Sequence, residues 1–301
     1  MLKAFVKAAR LRTLPLAIGS IAMGSALASF FYQHSWKITW LATLTAILLQ
    51  ILSNFANDYG DFKKGTDDKT RTDRALASGG LSEKQMKNAL IVTAVLSTVV
   101  GVWLLFSAFK NINLSFIIWL FIGFMAIAAA IKYTAGKSAY GYRALGDLAV
   151  YLFFGLVAVL GVYVLHTNDL GRNFYVSILP ASAVGLMATG ILNINNIRDI
   201  EGDKANGKIT LAVLLKKRNA EVYQLILYVL SFGLMYLFFD KTSGRVSFLF
   251  LLLVIPYFVL WLRLKSLSNN GTMRPTYNKL LKINVLLNLV WVAVCCFLLL
   301  F

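Results

Sequence analysis

Long apolar runs separated by short polar segments follow one another along the whole chain. Windows of about 20 apolar residues, the length that a helix needs to cross a bilayer, lie near 14–32, 37–56, 87–108, 114–131, 145–166, 174–197, 219–239, 246–264 and 280–301. The runs are continuously apolar, whereas barrel strands alternate and are about half as long. We therefore predict an all-α integral membrane protein with about nine transmembrane helices, forming a single polytopic membrane domain over residues 1–301.

Positive charge divides the connecting segments into two sets. Five of them hold 25 of the 30 Lys and Arg residues: the N-terminus, the 57–86 loop with its flank, the 132–144 loop, the 198–218 loop and the 263–282 segment. Because cytoplasmic loops are enriched in Lys and Arg, we expect these segments on the cytoplasmic side of the inner membrane. The net charge of +17 then reflects orientation in a lipid bilayer, and we expect no nucleic-acid partner.

Two local features carry little functional information. A basic stretch and an apolar stretch precede Ala26-Leu27-Ala28, as before a signal-peptide cleavage site, but the many later spans favour a retained first helix. Cys295 and Cys296 are adjacent inside the last apolar run, so we expect neither a disulfide between distant loops nor a cysteine metal site.

Acidic residues concentrate in two cytoplasmic loops, 57–86 and 198–218, which hold nine of the 13 Asp and Glu residues. The end of an even-numbered span in each case carries one Asn and two Asp at helical spacing: Asn54, Asp58 and Asp61 in the first, and Asn195, Asp199 and Asp203 in the second. Residues three or four apart share one face of a helix. The repetition therefore predicts two matching half-sites on the same side of the membrane.

Carboxylates gathered in this way need cations. A like-charged pair about 4 Å apart costs roughly 4 kcal/mol at an effective dielectric near 20. Oxygen ligands without Cys or His favour Mg²⁺ or Ca²⁺ over zinc, and Mg²⁺ commonly completes its shell with substrate phosphates. We therefore expect a Mg²⁺-diphosphate site, with Asp67 as a further candidate ligand. Both histidines fall on the opposite face, so the chemistry is expected to proceed without histidine.

Amide and basic side chains near the two half-sites could complete an anion site. The amides are Asn57 and Asn196, and the basic residues are Arg74, Lys132, Lys137, Arg198 and Lys208. Fixed positive charge would stabilise the negative charge that develops on a departing diphosphate.

Several runs of sequence resemble a known family. NDYGDFKKGTD, DRALASGGLS and NNIRDIEGDKANGKITLAVLLKK are similar to the two aspartate motifs of the UbiA superfamily of intramembrane aromatic prenyltransferases. ARLRTLPLAIGSIAMG, YTAGKSAYGYRALGD and NNIRDIEGD most resemble the branch whose acceptor is 1,4-dihydroxy-2-naphthoate. The resemblance covers residues from about 8 to 216 and adds little beyond topology for the last three spans.

This resemblance implies a ring of nine helices around a central cavity, with a lateral opening for a polyprenyl tail. It also implies Mg²⁺-dependent transfer of the prenyl group from polyprenyl diphosphate to the naphthoate ring, with loss of CO₂ and diphosphate, giving demethylmenaquinone. Both Asn-Asp-Asp sets match the family motifs. Arg74 matches the arginine of an Arg-Pro-Leu segment, although Ala75 stands where proline is common. Tyr133, Lys137 and Tyr140 fall in a segment that resembles a cap over the reacting centre.

The sequence leaves two alternatives open. Within the superfamily, the acceptor could instead be 4-hydroxybenzoate, homogentisate, haem or a chlorophyllide. From another class, a cation-coupled transporter could use intramembrane Asn and Asp, but it would place charged residues near span centres, whereas these acids cluster at one membrane face.

Overall fold

The computed structural model describes residues 1–32, 34–66, 74–134, 136, 139–242, 247–269 and 274–301. Within these ranges nine helices are long and apolar enough to cross a membrane, which confirms the predicted fold class. The nine spans are Leu2–Phe31, Trp36–Lys63, Glu83–Phe109, Leu114–Lys132, Gly146–Thr167, Arg172–Ala205, Leu211–Thr242, Phe248–Leu267 and Pro275–Leu300.

Breaks inside some spans divide them into shorter helices. The helices in chain order are α1 (Leu2–Ala9), α2 (Leu14–Phe31), α3 (Trp36–Lys63), α4 (Glu83–Phe109), α5 (Leu114–Lys132), α6 (Gly146–Val150), α7 (Gly161–Thr167), α8 (Arg172–Ala205), α9 (Leu211–Thr242), α10 (Phe248–Leu252), α11 (Val254–Asn269) and α12 (Arg274–Leu300). A π-helical segment, Tyr151–Leu160, joins α6 to α7. Between α1 and α2 the chain turns at Arg10, whose φ of 49° is left-handed, and passes through a 3₁₀ turn.

The two helices that carry the Asn-Asp-Asp sets are longer than hydropathy predicts. Hydropathy predicts that the second apolar run ends near residue 56 and the sixth near 197, but α3 continues to Lys63 and α8 to Ala205. Hydropathy reports only the part of a helix that lies in hydrocarbon, whereas backbone hydrogen bonds continue into the polar interface. The motif aspartates therefore lie on rigid helix ends rather than in loops.

Burial separates the central helices from the outer ones. In the most apolar stretch of α8, 67% of the residues are buried inside the protein, compared with 6% in α5. The largest buried core joins α8 to α2, α9 and α12. Large apolar side chains on α5, such as Phe121 at 64% exposure, face outward, as expected where lipid covers the surface.

A close contact between the π-helical segment and α8 depends on two glycines. A Cβ on Gly155 would lie 2.7 Å from the Ala181 carbonyl oxygen and 2.8 Å from the Cα of Gly185. Small residues at such crossings let two membrane helices approach closely. This contact fixes the fifth span, whose residues line one wall of the cavity described below.

We predict that Gly155→Ala destabilises the protein by about 1–3 kcal/mol, because the added methyl group has no room against the backbone of α8. Thermal unfolding of the purified protein in detergent measures the effect. Gly233→Ala is the matched control, since no atom of the described residues lies within 4 Å of a Cβ added there. Equal unfolding temperatures for the two variants would contradict the predicted contact.

Candidate active site

The end of α3 buries two carboxylates and gives each of them polar partners. Asp58 and Asp61 are only 1% and 2% exposed. The backbone N–H of Ala75 donates to Asp58 Oδ2 at 3.1 Å. Asp61 accepts hydrogen bonds from the Tyr142 hydroxyl at 2.7 Å and from Arg74 Nη2 at 3.2 Å. The segment that begins at Arg74 therefore folds back over the end of α3 and compensates its negative charge.

The N-terminal turn holds the amide of Asn54. Asn54 Nδ2 donates to the Ala9 carbonyl at 2.9 Å and to Thr13 Oγ1 at 3.0 Å. Both amide hydrogens are used in this way, so Asn54 presents its carbonyl oxygen to the cavity side. Asn57 is held from another direction, by the segment that follows α5: its Oδ1 accepts a hydrogen bond from Thr134 Oγ1 at 3.2 Å.

Arg198 organises the end of α8. Its Nε and Nη2 bind the two Asp199 carboxylate oxygens at 3.0 and 2.5 Å. The same guanidinium donates to Asn195 Oδ1 at 2.8 Å and to Asn278 Oδ1 at 2.6 Å. A bidentate arginine fixes geometry as well as charge. One turn further on, Asp203 forms an ion pair with Lys208 at 3.5 Å.

The two helix ends share an amphipathic cavity of about 580 Å³. The candidate residues that line it are Asn54, Asn57, Asp61, Arg74, Tyr133, Tyr140, Asn195, Asn196 and Lys208. Apolar side chains such as Trp119, Phe153 and Leu289 line the remainder. A polar end joined to an apolar chamber suits a ligand with an anionic head and a hydrocarbon tail.

Some candidate residues lie away from this lining. Asp58, Arg198, Asp199 and Asp203 are not part of the lining, although Arg198 bonds to lining residues and Asp203 pairs with Lys208. Lys132 is exposed at the end of α5 and does not line the cavity. Two further candidates, Asp67 and Lys137, lie outside the described residues.

Tyr142 links the two half-sites, and sequence reasoning did not single it out. Its hydroxyl binds Asp61 of α3, and its ring lies 3.7 Å from Lys64 Nζ and 5.5 Å from Lys208 Nζ. The backbone completes the link, because Ile209 N–H donates to the Tyr142 carbonyl at 3.2 Å. The signal was a third tyrosine in the run YTAGKSAYGYRALGD, but spacing alone does not show which tyrosine faces the aspartates.

Tyr133 and Tyr140 stack edge to face in the cavity wall, with ring centroids 5.3 Å apart. Burial raises the pKa of Tyr140 to about 12. Burial also raises the pKa of Tyr133 well above its usual value, with a further contribution from nearby carboxylates that include Asp61 and Asp203. Both phenols are therefore neutral at physiological pH, and the Tyr140 hydroxyl donates to the Ala129 carbonyl at 2.8 Å.

Further polar residues line the cavity, although sequence reasoning did not name them as candidates for the site. They include Arg10, Arg12, Thr13, Gln50, Asn278 and Lys282. The first three belong to the N-terminal turn and the last two to α12, which are far apart in sequence. Hydropathy classed them as flanking charges or as polar positions within spans, because it carries no information on which helices become neighbours.

The carboxylates fit Mg²⁺ when a phosphate ligand is also present. Within the described ranges no group of three or more His, Cys, Asp or Glu side chains is close enough to hold a metal by itself. Asp58 Oδ1 and Asp203 Oδ2, however, are buried oxygens without a hydrogen-bond partner among the described residues. Mg²⁺ is typically bound by one or two carboxylates together with water and substrate phosphates, and the available donors are all oxygens.

The fold and site define a class: a polytopic α-helical membrane protein in which two aspartate-bearing helix ends close the polar end of a lipid-sized cavity. The sequence model of the UbiA prenyltransferase family matches residues 17–286. The chain therefore belongs to the UbiA prenyltransferase family, and the resemblance drawn from its motifs is confirmed. Membership of an enzyme family also argues against the transporter alternative.

Known relatives agree with this assignment. The chain is 44% identical over 230 residues to the 1,4-dihydroxy-2-naphthoate octaprenyltransferase of Haemophilus influenzae, covering 75% of this chain and 73% of the relative. The fold is similar to that of an apo UbiA homologue from Aeropyrum pernix K1, with a TM-score of 0.65, 17% identity and coverage of 95% and 96% of the two chains. It is also similar to an Archaeoglobus fulgidus UbiA homologue bound to GPP and Mg²⁺, with a TM-score of 0.61, 14% identity and 99% coverage of each chain.

We predict that Asn278→Leu lowers the rate of prenyl transfer about tenfold, because a hydrogen bond to a charged group is worth about 1.5–3 kcal/mol and its loss releases Arg198. Asn278→Asp should retain most of the rate, since it keeps an oxygen acceptor facing Arg198. Initial rates at saturating substrate measure both variants. Lys279→Ala, an exposed neighbour on α12, is the control, and a normal rate in Asn278→Leu would contradict the role given to Asn278.

Proposed function

We propose that the protein transfers a polyprenyl group from polyprenyl diphosphate to 1,4-dihydroxy-2-naphthoate, releasing CO₂ and diphosphate and giving demethylmenaquinone in its reduced form. The observation that carries this proposal is the pair of aspartate-bearing helix ends, α3 and α8, at the polar end of one amphipathic cavity. The relative from Haemophilus influenzae, named for this acceptor and 44% identical, supports the choice of naphthoate.

The diphosphate head would bind between the two helix ends. Arg74 and Lys208 line the cavity there, each beside a motif aspartate. Asp58, Asp61, Asp199 and Asp203 would hold Mg²⁺, and Asp67 is a further candidate ligand. Bound Mg²⁺ would supply charge neutralisation to the diphosphate leaving group. The amides of Asn195 and Asn196 line the same region and would orient the head through hydrogen bonds.

Breaking the bond from the allylic carbon to oxygen leaves negative charge on the diphosphate and positive charge on the prenyl group. Arg74 and Lys208 would stabilise the negative charge, because they are already held in place by their carboxylate partners. The rings of Tyr133 and Tyr140 would stabilise the cation by about 0.5–2 kcal/mol each. Since both phenols remain protonated, neither competes with the acceptor as a phenolate nucleophile.

The electron-rich naphthoate carbon would then attack the allylic carbon, and the ring carboxylate would leave as CO₂. Apolar wall residues such as Trp119 and Phe153 keep water from trapping the cation. No covalent enzyme intermediate is required. The arrangement also agrees with chemistry that proceeds without histidine, because His166 bonds to the Ser35 backbone and lies outside the cavity lining.

The location of the reaction follows from the same features. We infer that the polar end of the cavity faces the cytoplasm, since the loops around it carry most of the Lys and Arg. The polyprenyl tail would occupy the apolar part of the cavity and reach the lipid of the inner membrane. The protein would therefore join a soluble aromatic acid to a membrane-bound chain.

We predict that Asp58→Asn and Asp203→Asn each reduce prenyl transfer on the order of 100-fold, the scale typical of losing a metal ligand or its supporting contact. Chelation of Mg²⁺ should abolish turnover in the unaltered protein, and added Mg²⁺ should restore it. Glu201→Gln is the matched control, because this exposed carboxylate lies on the same helix end. Thermal unfolding separates loss of catalysis from loss of folding, and near-normal rates in either Asp variant would move the metal site elsewhere.

The acceptor is tested by supplying purified protein with Mg²⁺, a polyprenyl diphosphate and one aromatic compound at a time. We expect 1,4-dihydroxy-2-naphthoate to give a prenylated product, with one CO₂ and one diphosphate released per turnover. Mass spectrometry identifies the product. A higher kcat/KM with 4-hydroxybenzoate or homogentisate would overturn the acceptor but not the family chemistry, and the absence of turnover with every acceptor by folded protein would overturn the proposed function.

A further inference from the structure

The short helix α1 has three distinct faces. Ala4, Phe5, Ala8 and Ala9 face the protein and join a small apolar cluster. Leu2 and Val6, four residues apart, form a second face and are 78% and 45% exposed. Lys3 and Lys7, also four apart, form a third face and are exposed as well. Because residues four apart lie above one another on a helix, an apolar stripe and a basic stripe run side by side along α1.

The packing of α1 places it at the level where membrane spans end. Its inner face belongs to one apolar cluster with Phe55 in the last third of α3, Met86 in the first turn of α4 and Leu81 just before α4 begins. Its own C-terminus leads through Arg10 into α2. Three spans therefore begin or end beside this helix, so α1 lies at the boundary between hydrocarbon and water rather than projecting away from it.

We propose that the α1 surface, made of Leu2, Lys3, Val6 and Lys7, binds the headgroup region of a membrane that contains anionic phospholipid. The apolar stripe would enter the upper acyl region, and the two lysines would extend to lipid phosphates. The basic stripe selects an anionic lipid surface as the occupant, because each Lys near such a surface contributes favourable electrostatic free energy. Lys84 and Lys87, both exposed in the first turns of α4, add positive charge at the same level.

This lipid contact would support the first half-site. The Ala9 carbonyl at the end of α1 accepts from Asn54, and Thr13 in the turn that follows accepts from the same amide. On its inner face α1 packs in one cluster with Ala75 and Leu76, and the Ala75 N–H holds Asp58. Lipid that fixes α1 therefore also fixes the backbone groups that orient Asn54 and Asp58.

Spin labelling tests the position of α1 in the full-length protein. A nitroxide is attached at Val6→Cys or Lys7→Cys in a protein whose two native cysteines are removed by Cys295→Ala and Cys296→Ala. The labelled protein is reconstituted into phosphatidylcholine vesicles with and without phosphatidylglycerol. We expect the label at position 6 to collide mainly with oxygen, which concentrates in hydrocarbon, and the label at position 7 mainly with a water-soluble nickel chelate. Chelate-dominated collisions at both positions would show that α1 lies in water. Low accessibility to both reagents at position 6 would show a protein partner. Either result overturns the proposal.

The role of the lysines is tested with a fluorophore at position 6 and brominated lipids as quenchers. In the protein with no other substitution, brominated phosphatidylglycerol should quench the fluorescence more strongly than brominated phosphatidylcholine. Each lysine should favour binding of the anionic lipid by at most about fivefold. Lys3→Gln/Lys7→Gln should strongly reduce the preference, and Lys84 and Lys87 should account for what remains. Lys110→Gln/Lys241→Gln, at the opposite end of α4 and in the last turn of α9, should keep the preference. An unchanged preference in Lys3→Gln/Lys7→Gln would overturn the anionic-lipid assignment, and neither experiment depends on the proposed enzymatic reaction.

Discussion

Burial of negative charge at two helix ends is the constraint on which the rest of this structure depends. Asp58 and Asp61 on α3 are almost fully buried, and Asp199 and Asp203 occupy the corresponding end of α8. Buried carboxylates are costly unless they are paired or bind metal. An arginine compensates the negative charge at each helix end: Arg74 binds Asp61, and Arg198 binds Asp199. Asp58 Oδ1 and Asp203 Oδ2 are left without a hydrogen-bond partner among the described residues, so these two oxygens could bind a cation.

Satisfying these polar groups draws in distant parts of the chain. The N-terminal turn holds Asn54 through the Ala9 carbonyl and Thr13, while Asn278 of α12 holds Arg198. Tyr142 joins the two halves from a third direction, through its hydroxyl and its backbone. The first and last helices are thus part of the site, although only the central spans carry the aspartate motifs. The same contacts connect the site to α1 and hence to the membrane surface.

Much of the site was readable from residue type and spacing. The repeat of Asn and Asp at helical intervals predicted that both sets would share one helix face, and both do lie on helix ends, α3 and α8. Spacing could not separate Asp58, enclosed behind the cavity wall, from Asp61, which lines it. It also gave equal weight to Lys132, which is exposed, and Lys208, which lines the cavity. Side-chain direction at a helix end depends on what packs against it, and those partners are distant in sequence.

The sequence by itself determined that the chain spans a membrane about nine times. The length and apolarity of each run are local properties, and they decide whether a helix is stable in the hydrocarbon of a bilayer. It also determined that oxygen ligands and basic residues collect near two helix ends. Only the tertiary structure decided which helices are neighbours, that Tyr142 and Asn278 belong to the site, and that α1 packs beside the first half-site. Neighbour relations between apolar helices arise from shape and from a few buried hydrogen bonds, and hydropathy contains neither.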